Sequence, residues 1–131
     1  MIHELTTAPL ALLDPKLNYK AYSVYGVKIG DDYNSIPRDK IQYYNNLQWF
    51  ICEDDARFKV WERKVYLIKV PQGVVKWLNM VSPGDIEAKL GNPSDIEDGE
   101  IYRRYIFREK GVKALWSVAE DKLAGIVFGE F

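Results

Sequence analysis

The segment 82–131 limits the possible folds more than any other part of the sequence. Ser82 is placed to cap a helix, Pro83 to fill its first position, and Asp85 to interact with its N-terminus. Gly91, followed by Asn-Pro, is a typical helix end. Runs rich in β-branched and aromatic residues follow at 100–107, 112–118 and 123–128. This order predicts a short helix that leads into a three-stranded antiparallel meander.

A looser version of the same order occupies the first half of the chain. Ser35 is a suitable N-cap and Pro37 falls in the first turn, which predicts a short helix over 35–41. The β-branched and aromatic run at 20–29 predicts a strand before it. A second meander is predicted after it, with strands at 47–52, 57–61 and 65–70.

The middle strand of that first meander has a clear two-sided pattern. In Arg57–Trp61 the apolar Phe58 and Val60 alternate with Arg57 and Lys59. Such alternation is typical of a strand with one buried and one solvent-facing side.

Three other segments connect or precede these elements. The stripe Val74, Trp77, Leu78 and Val81 predicts a helix over 74–81. The acidic stretch 95–99 is predicted to be a turn. Residues 1–19 are predicted to form either one or two helical turns starting at Thr7 or an extended arm packed on the body of the protein.

These elements predict an α+β fold. With 131 residues and 47% apolar content, the chain is long enough for one hydrophobic core. We therefore expect a single α+β domain over 1–131, built from two helix-plus-antiparallel-meander halves at 20–70 and 72–131.

The end of the helix predicted after Ser82 resembles a motif of known proteins. The residues that carry this resemblance are Lys-Leu-Gly-Asn-Pro-Ser, at 89–94. A short helix followed by a leucine-glycine-x-proline corner and an antiparallel meander resembles the repeat of the small outer-membrane assembly lipoproteins of the SmpA/OmlA type and of the β-lactamase inhibitor protein. Leu90, Gly91 and Pro93 match the corner. The resemblance implies the architecture only, with 27–41 as a degenerate first copy, and it transfers no functional residue.

Bulk composition narrows the classes of function. A net charge of −1 and a pI near 5.9 lack the basic balance of a nucleic-acid-binding domain, so we do not expect nucleic acid as the partner. No apolar run is long enough to span a bilayer, and the N-terminus does not resemble a secretory signal. We therefore expect a cytoplasmic protein that does not enter a membrane.

The sequence offers no active-site signature. His3 is the only histidine and Cys52 the only cysteine, and nothing in the sequence brings them together. Phosphate-binding loops, dinucleotide-binding glycines, zinc motifs and calcium loops are all missing. We predict no catalytic, cofactor-binding or metal-binding residue.

Acidic turns beside aromatic strands favour a non-catalytic protein-binding module. Its most concrete form is an immunity or inhibitor protein that blocks a toxin or enzyme, such as a basic nuclease. Trp49 or Trp61 would anchor the complex. The acidic contacts would be Asp31, Asp32, Glu53, Asp54 and Asp55.

Two other classes of function stay open at this stage. A small enzyme or ligand-binding protein would have a pocket between helices and sheet with at least two convergent polar groups. A nucleic-acid-binding protein would use a sheet face with basic and aromatic residues. The basic residues of the two meanders are Arg57, Lys59, Arg63, Lys64, Arg103, Arg104, Arg108, Lys110 and Lys113.

Overall fold

The N-terminal segment forms a small layer of its own. The computed structural model describes residues 2–46 and 48–131. Strand β1 (His3–Glu4) pairs in parallel with β2 (Tyr22–Ser23). Between them the chain makes 3-10 turns at Pro9–Leu13 and Tyr19–Ala21. The predicted helical turns near Thr7 are thus 3-10 in type and begin at Pro9.

A large antiparallel sheet forms the body of the protein. The first meander contributes β3 (Ile41–Tyr44), β4 (Trp49–Cys52), β5 (Arg57–Trp61) and β6 (Lys64–Lys69). Helices α1 (Gln72–Leu78) and α2 (Pro83–Leu90) follow. The second meander contributes β7 (Asp95–Asp98), β8 (Tyr102–Phe107), β9 (Val112–Ser117) and β10 (Lys122–Gly129). Over the described residues the sheet has eight strands in the order β3-β4-β5-β6-β10-β9-β8-β7, which confirms a broadly α+β fold that is mostly sheet.

One face of this sheet is covered and contains the core. Leu12 and Tyr22 from the N-terminal segment and Leu78 and Ile86 from the helices belong to the same buried cluster as the sheet side chains. The sheet contributes to this cluster Phe58, Ile68, Val112, Ala114, Trp116, Ile126 and Phe128. The two meanders meet at the centre of the sheet, where β6 and β10 pair antiparallel.

Helix α2 has the cap that the sequence predicts. The Asp85 carboxylate accepts hydrogen bonds from the backbone N–H groups of Val81 at 2.8 Å and Ser82 at 3.2 Å. Ser82 and Asp85 together form a capping box, which satisfies N–H groups that have no partner within the helix. Gly91 ends the helix with φ of 91°, a conformation that favours glycine.

The predicted helix over 35–41 is wrong. A short 3-10 turn over Tyr33–Ser35 begins earlier, because the Asp32 carboxylate accepts from the Asn34 N–H at 3.0 Å. The chain is extended at Ile36, and the β-favouring residues that follow form β3. Within the described part of the first half, no α-helix precedes the meander.

The predicted strand over 20–29 is also mostly wrong, since only β2 forms there. Tyr25 and Gly26 take positive φ values of 55° and 76° and turn the chain back on itself. The Glu4 carboxylate holds this turn by accepting from the N–H groups of Tyr25 at 2.9 Å and Gly26 at 2.6 Å. A distant residue therefore overrides the local strand preference.

The acidic stretch 95–99 is a strand rather than a turn. Most of it forms β7, which pairs with β8 at the edge of the sheet. Asp98 forms an ion pair with Arg103 at 3.1 Å, and Asp95 forms one with Arg108 at 2.7 Å. Cross-strand charge pairs of this kind stabilise a sequence that is otherwise a poor strand former.

The remaining elements are close to prediction. Strand β5 has the predicted bounds, and the other strands differ by one or two residues at their ends. Leu47, the predicted start of β4, lies outside the described residues. Helix α1 begins two residues before the predicted start and ends three residues before the predicted end, where Asn79 is left-handed. Val74 and Leu78 of the predicted stripe are buried, whereas Trp77 and Val81 are exposed. Among the described residues, no helix has both the length and the apolar character needed to cross a membrane.

Candidate functional site

Two of the three acidic side chains of the β4–β5 turn form hydrogen bonds within the protein. The Asp54 carboxylate accepts a hydrogen bond from the Tyr25 hydroxyl and another from the Ala56 N–H at 3.1 Å. Glu53 is exposed. Of the three adjacent acids in this turn, Asp54 and Asp55 are occupied by intramolecular contacts, while Glu53 is available to solvent.

Asp55 is the centre of a polar network. Its carboxylate accepts from Arg57 at 2.7 and 2.9 Å, from the Lys69 Nζ at 2.9 Å and from the Gln72 Nε2 at 3.2 Å. Burial alone would raise the pKa of Asp55, but the hydrogen bonds from Lys69, Arg57 and Gln72 outweigh it and lower the pKa. Asp55 also has a φ of 67°, an uncommon conformation for a residue other than glycine. The network therefore holds the turn against β6 and α1.

Lys69 reaches this network across a glycine. A Cβ atom at Gly125 would lie 2.7 Å from the Lys69 Cε, a distance that real contacts do not show. Lys69 itself is only 9% exposed, although it carries an ammonium group. Because Gly125 has no side chain, the Lys69 side chain can lie over β10 at the centre of the sheet, where the two meanders join.

A cleft of about 490 Å³ opens beside the network. It lies where β6 ends and the first residues of β10 extend past it, with α1 along one side. Its polar lining includes Arg57, Lys69, Gln72, Tyr102 and Lys122. Its apolar lining includes Val75, Met80, Leu123 and Ala124. The cleft thus combines convergent polar groups with an apolar wall.

The uncovered face of the sheet is basic and aromatic in the first meander. Residues Trp49 and Lys59 are register partners on this face, opposite the buried Phe58. The Lys59 Nζ lies 5.5 Å from the Trp49 ring centroid and 5.8 Å from that of Tyr66. Trp61, two residues beyond Lys59, is 60% exposed. We call this surface the open face.

The open face continues across the second meander. The charges of Arg104, Arg108 and Glu97 act on Lys113, which pairs with Val127 of β10. Burial lowers the pKa of Lys113, Glu97 opposes this, and Arg104 and Arg108 lower the pKa further. Basic side chains therefore crowd together here.

A buried apolar row lies beneath these charged side chains. Ile51, Ile106 and Val127 are 3%, 4% and 7% exposed, yet they are not part of the core cluster. Register places them on the side of the sheet opposite Phe58, among Arg57, Lys69, Lys113 and their neighbours. The long basic side chains thus cover apolar surface with their stems.

The residues predicted to bind a partner do not form one surface. Asp32 lies near the β5–β6 turn, 3.9 Å from the Arg63 Nε and bridged to Lys64, and Asp31 precedes it. The β4–β5 turn is at the other end of β5, roughly 20 Å away at about 3.3 Å per strand residue. Trp49 and Trp61 share the open face. The structure therefore separates the two acidic groups and brings the two tryptophans to the basic side.

Sequence reasoning missed the Asp55 network and the cleft. The alternation in Arg57–Trp61 correctly indicated a solvent-facing basic side, but the mostly apolar run at 65–70 gives no local sign that Lys69 joins an ion network. The signal that could have indicated this network is a lysine in an otherwise apolar strand, together with Gly125 in the last strand, two residues from the Lys69 register partner Val127.

The single cysteine and the single histidine both lie in strands. Burial raises the pKa of the Cys52 thiol to about 11, although the Lys40 charge opposes the shift, so the thiol is protonated at neutral pH. His3 forms part of β1. Within residues 2–46 and 48–131, no group of three histidine, cysteine, aspartate or glutamate side chains is arranged to hold a metal ion.

Comparisons with known proteins inform the fold. No protein-family model matches the chain, and no curated protein matches its sequence. Among solved structures, the chain is similar to a DUF4309 family protein, YjgB, from Bacillus subtilis. The two share 8% sequence identity and a TM-score of 0.55, over 97% of this chain and 95% of the other. The similarity extends over nearly the whole of both chains and concerns the fold.

Proposed function

We propose that this chain is a non-catalytic protein-binding module, most concretely a cytoplasmic immunity or inhibitor protein that blocks a toxin or enzyme. The observation that carries the proposal is the open face, which presents Trp49, Trp61 and Lys59 in the first meander and the basic cluster around Lys113 in the second. Tryptophan and arginine are the residues that most often dominate binding energy at protein interfaces. We propose the cytoplasm because Cys52 is a single, buried and unpaired cysteine, as is common in reducing compartments.

The charge of the open face sets the charge of its partner. Arg104, Arg108 and Lys113 lie close enough for their charges to repel one another. An acidic surface docked there would relieve this repulsion and speed association. We therefore expect an acidic contact surface on the partner, and we move the main contacts from the acidic turns to the open face.

A protein is favoured over a nucleic acid because the open face carries both signs of charge. Glu97 acts on Lys113, and Asp95 forms an ion pair with Arg108. A phosphate backbone is uniformly negative and would be repelled by these carboxylates, whereas a protein partner can place acidic groups opposite the basic residues and hydrogen-bond donors opposite Glu97 and Asp95.

The test uses the wild-type chain as bait in a native lysate, with the double variant Lys59→Glu/Lys113→Glu run in parallel. Partners retained by the wild type are identified by mass, produced in pure form and titrated against each variant. The single variant Glu53→Lys is the matched control, because it reverses an exposed charge on the acidic turn.

We expect the partner to be an acidic protein. Its affinity for the double variant should be at least about tenfold lower than for the wild type, which corresponds to about 1.4 kcal/mol. Its affinity for Glu53→Lys should stay within about threefold of the wild type. The opposite ranking would place the contacts on the acidic turn and refute the open face. Retention of nucleic acid, with a steep loss of affinity on adding salt, would refute the protein partner.

We also propose that segments 20–70 and 72–131 are copies of one unit packed as one domain. The support is the sheet order, in which each meander runs inward from its own edge and the last strands, β6 and β10, pair antiparallel. The helices between β6 and β7 belong to the second copy, and the described part of the first copy has short 3-10 turns in their place. A fragment covering 72–131 should then be unfolded by circular dichroism, because β10 loses β6 and the shared core.

A further inference from the structure

We propose that the cleft beside Asp55 is a binding site for a small organic acid, in which Lys69, Arg57 and Lys122 hold the carboxylate and the apolar wall holds the body of the ligand. Arg57 and Lys69 lie on the same side of the sheet as the open face, but the argument for this site does not use the partner proposed above. It rests on the geometry of the cleft and on the hydrogen-bonding capacity of the groups that line it.

Lys69 supplies the first argument. Its ammonium group has three N–H donors, and Asp55 is the acceptor that the described residues offer it. Most of the side chain is buried and the residue lines the cleft, so the cleft is the side from which an acceptor for its other donors can come. A carboxylate in the cleft would accept from this ammonium in a charge-assisted hydrogen bond.

Hydrogen bonds to Asp55 hold the donor groups of Arg57 and Lys69 in place. Two nitrogens of the Arg57 guanidinium are held on one Asp55 oxygen, and Lys69 is held on the other. Gln72 ties the same carboxylate to the Ala124 carbonyl at 2.9 Å, which fixes the network to β10. Donors that are fixed before binding lose little conformational entropy on binding, so they favour an anion.

The balance of charge around the cleft is positive. Its lining contains Arg57, Lys69, Lys76 and Lys122 against Asp55 and Glu120. Asp55 is already paired with two of these cations, and Glu120 is paired with Lys122 at 2.8 Å on the surface. An exposed pair of this kind contributes little energy, so Lys122 can turn toward a ligand at small cost.

The remaining wall selects an acid with an apolar body. Val75, Met80 and Leu123 line the side of the cleft toward α1 and β10. A volume of about 490 Å³ is within the range of sites that bind small molecules. A ligand that makes apolar contacts with this wall and charge-assisted hydrogen bonds with Lys69 would be an aryl or alkyl carboxylate.

The test titrates the purified full chain with phenylacetate and hexanoate, and with phenylacetamide and hexanamide as uncharged controls, by amide-detected NMR. We expect shifts confined to residues around Lys69, Gln72 and 122–124. The acids should bind at least about tenfold more tightly than their amides, as expected for loss of the charged half of a charge-assisted pair.

Variants assign the effect to the cleft. Lys122→Gln, which changes an exposed residue, should weaken acid binding about threefold to tenfold. Lys69→Gln should abolish it. Lys28→Gln is the matched control, because Lys28 is an exposed lysine far from the cleft in the chain, and it should leave binding unchanged.

Three results would overturn the proposal. One is the absence of shifts at millimolar acid, and another is equal binding of acids and amides, which indicates adventitious apolar contact only. The third is equal weakening by Lys122→Gln and Lys28→Gln, which indicates a diffuse charge effect. If Lys69→Gln fails to fold, the comparison of Lys122→Gln with Lys28→Gln decides the matter.

Discussion

The two faces of the sheet have different chemistry although they are made by the same strands. Phe58 on the covered face is fully buried in the core, while its neighbour Lys59 faces the other way, between the rings of Trp49 and Tyr66. In β9 the same contrast separates the buried Ala114 from Lys113. The covered face contains the hydrophobic core, and the open face is the surface on which we propose that a partner binds.

The largest expected effect on stability comes from the covered face. Phe58→Ala removes a fully buried ring and leaves a cavity, so the free energy of unfolding should fall by about 3–5 kcal/mol. Urea denaturation followed by circular dichroism measures this change. A loss below about 1 kcal/mol would show that the core does not depend on this ring.

Asp55 should have an intermediate effect, because it joins the two faces at the sheet end. Asp55→Ala leaves Lys69 buried without its acceptor and should cost about 1–3 kcal/mol. Asp55→Asn, which keeps the shape but removes the charge, is the matched control and should cost less. Equal stability of Asp55→Ala and the wild type would contradict a structural role for the network.

The same network predicts a dependence of stability on pH. The folded pKa of Asp55 lies below its ordinary value near 3.8, so its contribution is fully present above about pH 4–5. That contribution is lost as the pH falls through the lowered folded pKa. Wild type and Asp55→Ala should therefore differ most in unfolding free energy near neutral pH and converge in acid. A difference that grew in acid would have the wrong sign.

The cap of α2 should have a smaller effect. Ser82→Ala removes one half of the capping box and should lower the free energy of unfolding by about 1 kcal/mol. Ser82→Asp should restore most of this loss, because aspartate is also a good N-cap. Thermal unfolding of the three proteins side by side would check both expectations.

Charge reversal on the open face should have the smallest effect on stability. Lys59→Glu and Lys113→Glu change partly exposed side chains, so each should alter the free energy of unfolding by no more than about 0.5 kcal/mol. A loss of several kcal/mol from either would show that the open face is needed for folding. The comparison between the two faces would then fail.

Local signals in the sequence predicted the elements that depend on local chemistry. Strand β5 follows from its alternating pattern, and α2 follows from Ser82, Pro83 and Gly91. The elements that were missed depend on distant residues. Glu4 creates the turn at Tyr25, and arginines in and after β8 stabilise the acidic strand β7.

The candidate site was harder to predict than the fold, for the same reason. Its tryptophans and several basic residues were visible in the sequence, but their common face depends on the pairing of β4 with β5. The cleft depends on Asp55 reaching Lys69, fourteen residues away, and on the space left by Gly125. Long-range contacts of this kind have no local signature.

The most direct test of the account is the affinity of the purified partner for the wild type, Lys59→Glu/Lys113→Glu and Glu53→Lys, with the unfolding free energy of each measured in parallel. We predict that the double variant loses at least about tenfold in affinity while its stability stays within about 1 kcal/mol of the wild type. Unchanged affinity in the double variant, together with a tenfold loss in Glu53→Lys, would contradict the claim that the open face binds the partner.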